Sequence, residues 1–149
     1  MQEKKKKVIL AADHGGYELK EKLKEVLEEN EIPYDDISFE FERDDDYPDH
    51  AFKAATKVAK EKARGVLICA TGIGMCISAN KVKGARAAMA YDEKTARLSR
   101  QHNDTNILCL GASITDEETA KKILKAWLTT RFLEGRHARR VDKIKEFEK

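Results

Sequence analysis

The chain has little of what several protein classes require. Its three cysteines, at positions 69, 76 and 109, form no C-x-x-C pair, which argues against a disulfide framework and a zinc ribbon. No stretch approaches the roughly 20 consecutive apolar residues that span a bilayer. The basic opening MQEKKKKVIL lacks the long apolar region of a signal peptide. We therefore expect a cytoplasmic protein that does not contact membranes.

An excess of charge of one sign is also lacking. Charged residues make up 38% of the chain, but the formal net charge is only +2, so no global field favours nucleic acid as a partner. Any anion-binding site must therefore be local. The four histidines show no H-x-x-x-H or H-E spacing, so we expect no bound metal, and no motif indicates a cofactor.

What is present is an alternation of short apolar runs with segments of helical period. Strands are predicted at 8–12, 34–39, 65–69, 86–90 and 107–110. Helices are predicted after Gly16, near Asp49, from the turn at 70–74 to Lys81, and over 92–101 and 116–129. The run 65–69 has no polar side chain, which is typical of a central strand covered on both faces. This pattern predicts an α/β fold with a parallel sheet, in a single domain spanning 1–149.

The last segment, about 136–149, is basic and helical. Val141, Ile144 and Phe147 lie on one side of this helix, so we expect that side to pack on a partner subunit. The cationic cluster around Arg136 and Arg140 is either a phosphate clamp or a solvated basic face.

The segment Cys69-Ala70-Thr71-Gly72-Ile73-Gly74 follows the predicted central strand, where ligands bind in open parallel sheets. Glycines permit positive φ angles, and a turn that opens a helix directs several free amides at one point, which makes an anion hole. These amides also favour a thiolate at Cys69. The segment therefore offers a base beside an oxyanion site, or else a small buried hydrophobe at the end of a strand.

Other polar residues follow the same logic. Asp13 and His14 come directly after the first strand, at the expected ligand-binding edge. His102 and Asn103 close a helix just before a later strand, so their route to that edge is not evident. Either histidine could instead be an ordinary capping or core residue.

Five segments occur in the order and spacing typical of type B ribose-5-phosphate isomerases, and together they cover nearly the whole chain: AADHGG, DYPDHA, CATGIGMCISANKVKGARAA, RQHNDTNILCLGA and EGRHARRVDKI. Isomerases of allose 6-phosphate and galactose 6-phosphate share much of this pattern. The resemblance implies a Rossmann-like three-layer α/β/α sandwich with a mostly parallel sheet of about five strands. It also implies a homodimer or a dimer of dimers, with each active site assembled from two subunits.

The resemblance further implies an aldose–ketose isomerase acting on a sugar phosphate, with ribose 5-phosphate and ribulose 5-phosphate as the expected pair. Cys69 would remove the C2 proton, the 70–74 turn would hold the enediolate, His102 would promote ring opening and Asp13 would move protons between the substrate oxygens. The implied catalytic residues are Cys69, His102, Asp13 and Thr71, and the implied substrate-binding residues are His14, Tyr47, Ala70, Gly72, Ile73, Gly74, Asn103, Arg136 and Arg140.

Two positions depart from the family pattern. Ser113 stands where many relatives carry a phosphate-binding arginine, and Ala70 stands where glycine is common. Three other functions stay open at this point: a hexose-6-phosphate isomerase of the same fold, a phosphate-ligand-binding module without catalysis, and a redox sensor in which Cys69 is the reactive thiol.

Overall fold

Five parallel strands form one sheet, in the order β2-β1-β3-β5-β4, with helices on both faces. The computed structural model describes residues 5–149. The elements run as follows: β1 (Val8–Ala12), α1 (Tyr17–Glu29), β2 (Tyr34–Asp36), α2 (Tyr47–Glu61), β3 (Arg64–Cys69), α3 (Ile73–Ala79), β4 (Ala87–Met89), α4 (Glu93–Asn103), β5 (Ile107–Gly111), α5 (Glu117–Thr129) and α6 (Arg136–Phe147). The predicted α/β/α sandwich is confirmed.

The central strand is β3, as its composition predicts. It pairs with β1 on one side and with β5 on the other, and its last residue, Cys69, lies opposite Gly111. Strands β1 and β5 are buried throughout, as is β3 after its first residue. Apolar side chains therefore cover both faces of the sheet, which explains why these runs do not alternate with polar residues.

Each face of the sheet carries its own core. On one face α1, α4 and α5 pack over Leu10, Val66 and Leu108, and on the other α2 and α3 pack over residues such as Leu67. Trp127 of α5 is fully buried in the first core. Its indole N–H donates to the Thr105 hydroxyl at 2.9 Å. Within residues 5–149, no helix is both long and apolar enough to cross a membrane.

Several element boundaries differ from the prediction. Strand β2 stops at Asp36 rather than at position 39, and the Asp36 carboxylate accepts the backbone N–H of Ser38 at 3.0 Å, a local turn that competes with strand pairing. Helix α2 begins at Tyr47, two residues before the predicted start, with Pro48 in its first turn. Helix α3 ends at Ala79, two residues before the predicted end.

A buried ion pair ties β2 to α1. The Lys20 ammonium is fully buried, lies 2.8 Å from Asp36 Oδ2 and donates to the Ser38 carbonyl at 2.6 Å. Burial opposes ionisation of Asp36, but the hydrogen bonds from Lys20 and Lys24 outweigh it and hold the pKa of Asp36 below its ordinary value. The sequence did not predict this pair, because the spacing of apolar residues in α1 does not show that a lysine lies on the buried side of the helix.

The C-terminal helix α6 forms where the sequence predicts it. Val141 is buried within the chain, whereas Ile144 and Phe147 are 46% and 92% exposed. Helix α6 therefore leaves part of its apolar side uncovered in the single chain. The expected packing of this side on a partner subunit stays a prediction.

Candidate active site

The turn after the central strand surrounds the sulfur of Cys69. This residue is 4% exposed and packs in the core beneath α2 and α3. Its sulfur also faces its own turn, because the amide of Gly72 donates to Sγ at 3.1 Å. Gly74 lies in the first turn of α3, where amides have no intrahelical partner. The turn thus places the thiol beside the main-chain N–H of Gly72.

Two glycines allow this turn to pack on the end of β5. Gly72 has a φ of 81°, and a Cβ there would lie 2.8 Å from the carbonyl carbon of Leu110. A Cβ on Gly111 would lie only 2.4 Å from the Thr71 carbonyl oxygen. The Thr71 hydroxyl accepts the amide of Ile73 at 3.2 Å. Both glycines are therefore required by close approach.

The two departures from the family pattern meet at one point. The backbone of Ala70 lies outside the left-handed region, so alanine is tolerated there without strain. The Ala70 carbonyl accepts hydrogen bonds from the Ser113 amide at 2.8 Å and from the Ser113 hydroxyl at 2.6 Å. Ser113 therefore braces the turn and brings no charge to it.

The turn after β1 lies against the same segment. Asp13 is buried, and its Oδ1 accepts the amides of Gly15 at 3.0 Å and Gly16 at 3.2 Å. Burial raises the pKa of Asp13 despite these hydrogen bonds. A Cβ on Gly15 would lie 3.2 Å from the Ala70 amide nitrogen, so the two turns touch. The carboxyl group is suited to taking up and releasing a proton here.

Tyr47 lies at the opening of α3. Its ring is so close to Gly74 that a Cβ on this glycine would lie 2.4 Å from the ring carbon Cε1. The side chain is 40% exposed. Tyr47 is therefore positioned to contact a ligand held by the 69–74 turn.

His14 projects beside these turns and is held by Asp45. The His14 ring Nδ1 lies 2.8 Å from Asp45 Oδ1. Asp13, His14 and Asp45 bring one potential metal-ligating atom each within 4.8 Å of one another. All three groups already hydrogen-bond within the chain, so the cluster is accounted for as a network of hydrogen bonds.

A cavity of about 560 Å³ opens at this edge of the sheet. Its wall includes His14, Gly15, Ala70, Ala112 and Ser113. The volume is large enough for a small phosphorylated sugar.

A second group of predicted site residues gathers on α4 and α6. The rings of His102 and His137 stack with centroids 4.3 Å apart and an interplanar angle of 11°. Burial lowers the pKa of His137, and the positive charges of His102, Arg136 and Arg140 act in the same direction. The sequence places His137 in the basic cluster of the last segment, but its contact with His102 was not predicted.

The two groups lie at opposite edges of the sheet. Cys69 and Gly111 are the last residues of β3 and β5, so the first group lies where the strands end. Helix α4, which carries His102, ends just before β5 begins, so the second group lies where the strands start. The Arg86 guanidinium, next to the start of β4, donates to the Asp104 carbonyl at 3.0 Å and agrees with this placement. The five residues of β5 separate the edges by about 15 Å. The chain brings together Asp13, His14, Tyr47, Cys69, Ala70, Thr71, Gly72, Ile73 and Gly74, but it does not bring His102, Asn103, Arg136 or Arg140 to them.

Another cavity, of about 530 Å³, lies at the edge where the strands begin, and none of the predicted site residues lines it. Two of its arginines bind carbonyl oxygens at the C-terminal end of α5. Arg64 donates to the Leu128 carbonyl at 3.1 Å, and Arg100 donates to the Thr130 carbonyl at 3.2 Å. Cations are favourable at the C-terminal ends of helices, so these contacts have a structural explanation.

Known proteins resemble this chain over nearly its whole length. A family model described as Ribose/Galactose Isomerase matches residues 8–144. A putative sugar phosphate isomerase of Bacillus subtilis is 49% identical over 144 residues, which cover 95% of this chain and 97% of the relative. Ribose-5-phosphate isomerase B of Escherichia coli is 40% identical over 144 residues, which cover 96% and 97%.

Solved structures share the fold. Ribose-5-phosphate isomerase B of Mycoplasma genitalium, determined with bound ribulose-5-phosphate, superimposes with a TM-score of 0.92 at 43% identity and 95% coverage of both chains. The likeness thus extends over nearly the whole chain in both sequence and structure.

Proposed function

This chain belongs to the Ribose/Galactose Isomerase family, and we propose that it is an aldose–ketose isomerase that interconverts ribose 5-phosphate and ribulose 5-phosphate. The observation that carries the proposal is the contact between the Cys69 sulfur and the Gly72 amide. The next residue after Cys69, Ala70, lines a cavity that could hold a sugar phosphate. Relatives named as ribose-5-phosphate isomerases favour the pentose over the hexose.

In the proposed reaction Cys69 acts as the base. Its thiolate removes the proton from C2 of the open-chain aldose, and the electron pair of the broken C–H bond forms the C1=C2 double bond as negative charge moves to O1. Amides of the 70–74 turn stabilise this enediolate, because fixed dipoles aimed at developing charge lower the barrier. The Gly72 N–H stabilises the thiolate in the same way. The thiol then returns the proton to C1, which gives the ketose.

Asp13 is the proposed carrier of the second proton. The enediolate must gain a proton on O1 and lose one from O2 before the ketose forms. Burial raises the pKa of Asp13, so its carboxyl group holds a proton more readily than an exposed aspartate does. A group that exchanges protons readily at the working pH suits this step.

We further propose that two copies of the chain share each active site. The proposal explains why the two groups of predicted site residues lie apart within one chain. A second copy would complete the site around Cys69 with its own His102, Asn103, Arg136 and Arg140. The helices that carry these groups also carry exposed apolar residues: Ile73 and Ile77 on α3 and Phe147 on α6. Covering them in an isologous interface would bring α6 of one copy toward α3 of the other.

The catalytic proposal is tested by Cys69→Ala, with Cys76→Ala as the matched cysteine control. We expect Cys69→Ala to lower kcat about 10²–10⁴-fold, the range for loss of a general base, while KM changes little. The control should keep its activity. Both variants should be assayed with ribose 5-phosphate, allose 6-phosphate and galactose 6-phosphate in one coupled assay. A near-normal kcat for Cys69→Ala would contradict the mechanism, and a clear preference for a six-carbon substrate would contradict the proposed substrate.

The shared site is tested by complementation. Cys69→Ala and His102→Ala are each expected to be inactive as homodimers. After the two variants are mixed, unfolded and refolded together, half of the dimers should be mixed, and each mixed dimer should contain one intact site. Activity should then return to about a quarter of the wild-type value. If no activity returns although mixed dimers form, each site is built from one chain.

A further inference from the structure

A single carboxylate joins two histidines at the edge of the candidate site. Asp45 Oδ1 accepts the backbone N–H of His14 at 2.8 Å and lies 2.8 Å from the His14 ring Nδ1. Asp45 Oδ2 lies 2.7 Å from the ring Nε2 of His50. The Asp45 side chain is only 10% exposed. Both oxygens are thus committed to histidines.

We propose that Asp45 is a positioning residue that holds the His14 ring oriented and positively charged toward the bound sugar phosphate, while His50 fixes the Asp45 carboxylate from the opposite side. This inference rests on the proposed function and deepens it, because it assigns the cation that the cavity uses for an anionic substrate.

The orientation of His14 follows from its hydrogen bonds. Asp45 Oδ1 accepts from the His14 main chain, so it acts as an acceptor toward the ring as well, and Nδ1 must carry the proton. The other ring nitrogen, Nε2, makes no hydrogen bond within the described part of the chain, and the 43% exposed ring lines the cavity. A protonated His14 therefore presents an Nε2–H donor to a ligand there.

The charge of His14 follows from its surroundings. The hydrogen bond to Asp45 is the largest cause that raises the pKa of His14; burial opposes it, and the charges of Asp13, Asp45 and Asp44 add to it. The carboxylate thus favours the imidazolium form, as in other histidine–carboxylate pairs.

The positive charge of His14 matters because the cavity wall is otherwise mainly negative. Besides His14, its lining includes one cation, Lys22, and three carboxylates: Glu18, Asp116 and Glu117. With a neutral His14 the wall contributed by this chain has one cation against three carboxylates, and with a charged His14 it has two against three, so the imidazolium weakens the repulsion of a phosphate group. Ser113 at the same wall is neutral and donates to the Ala70 carbonyl.

His50 keeps Asp45 in place. It lies on α2, whereas His14 lies in the turn after β1, so the Asp45 bridge joins these two elements. Burial opposes ionisation of Asp45, but the hydrogen bonds with His14 and His50 outweigh it and lower the pKa of Asp45. The carboxylate is therefore ionised whenever His14 is charged near neutral pH.

The decisive variant is Asp45→Asn, which keeps an acceptor for His14 but removes the charge. The matched control is Asp44→Asn: this exposed neighbour has a φ of 58°, which asparagine tolerates, and it makes no side-chain hydrogen bond within residues 5–149. At pH 7.5 we expect Asp45→Asn to raise KM for ribose 5-phosphate about tenfold or more, the value of one charge-assisted hydrogen bond. The kcat should change little. Asp44→Asn removes only the smallest of the charge contributions at His14, so it should raise KM much less than Asp45→Asn does, and Asp45→Glu should recover part of the loss.

The pH dependence separates this role from a merely structural one. His14 is charged below its raised pKa, so in the wild type KM stays low until the pH passes that value. In Asp45→Asn the rise in KM should begin at lower pH, and the two enzymes should converge in acid, where His14 is charged in each of them. Ionisation of the substrate phosphate cancels in the ratio of the two KM values.

A second readout does not depend on activity. The His14 ring C2–H signal, followed by NMR titration, should show a lower pKa in Asp45→Asn than in the wild type, and His50→Phe should lower it by a smaller amount. An unchanged His14 titration in both variants, or a KM ratio that is the same at every pH, would overturn the proposal. If the wild type isomerised no sugar phosphate, the proposed function would fail, while the titration would still decide whether Asp45 controls His14.

Discussion

Replacing Gly111 by alanine should slow isomerisation about a hundredfold while the chain stays folded. Gly111 lies at the end of β5, outside the left-handed region, so alanine brings no backbone strain there. A Cβ would, however, lie 2.4 Å from the Thr71 oxygen and 2.5 Å from its carbonyl carbon. An ordinary contact requires the 69–74 turn to retreat by roughly 1 Å. Displacements of about this size at a reacting centre cost about a hundredfold in rate.

The matched control for this prediction is Gly65→Ala, at the other end of the sheet. Gly65 is also buried in a strand, but a Cβ there would meet side-chain atoms, Val58 Cγ2 at 3.0 Å and Ile107 Cγ1 at 3.1 Å. Both variants overpack the interior, so each should lose about 1–3 kcal/mol of unfolding free energy. Only Gly111→Ala should lose kcat.

The measurements are kcat in the coupled isomerase assay and the unfolding free energy from urea denaturation followed by circular dichroism. If Gly111→Ala were folded and kept a normal kcat, the turn would not hold the reacting groups. Equal losses of kcat in the two variants would show that general destabilisation, rather than displacement of the turn, slows the reaction.

Three further predictions concern stability and reactivity. Lys20→Met should lower the unfolding free energy by about 1–3 kcal/mol in urea denaturation, because the buried Asp36 carboxylate loses one of its two lysine partners and keeps only Lys24. Lys22→Met, at an exposed site, should change it by about 0.5 kcal/mol or less. A hydrogen bond with Cys109 lowers the pKa of Cys76 to about 7, so iodoacetamide should modify Cys76 before the buried Cys69 and Cys109, at a rate that falls tenfold per pH unit below about pH 7. Equal modification of the three thiols by peptide mass mapping would contradict this. Burial lowers the pKa of His137, so the folded state binds fewer protons at this histidine than the unfolded state does. The protein should therefore lose stability as the pH falls through the pKa that His137 has in the unfolded chain. The drop in melting temperature from pH 7.5 to 5.5 should be smaller in His137→Phe than in the wild type.

Much of the fold was predictable because it rests on local chemistry. The apolar run of β3 identifies the central strand, since only a strand covered on both faces lacks polar side chains. The glycines of the 69–74 turn were predictable for a similar reason: close approach and positive φ leave few alternatives at Gly72. The apolar run and the G-x-G spacing can each be read from a few consecutive residues, although the contact of Gly72 with Leu110 is seen only in the fold.

Other features depend on partners far apart in the sequence. The bridge from Asp45 to His14 spans 31 residues, and the run of three aspartates at 44–46 indicates only a loop when it is read alone. The stack of His102 on His137 likewise needs the path of α6 across α4. No local periodicity encodes these contacts, so they became evident only from the fold.

The position of Trp127 has a practical consequence. It is the only tryptophan in the chain, it is buried with α1, α4 and α5, and its indole is anchored to Thr105. Its fluorescence emission therefore reports on one helical layer, whereas the 69–74 turn and the opposite layer remain optically silent. A shift in emission that precedes the loss of ellipticity would reveal that this layer loosens first, without any label being attached.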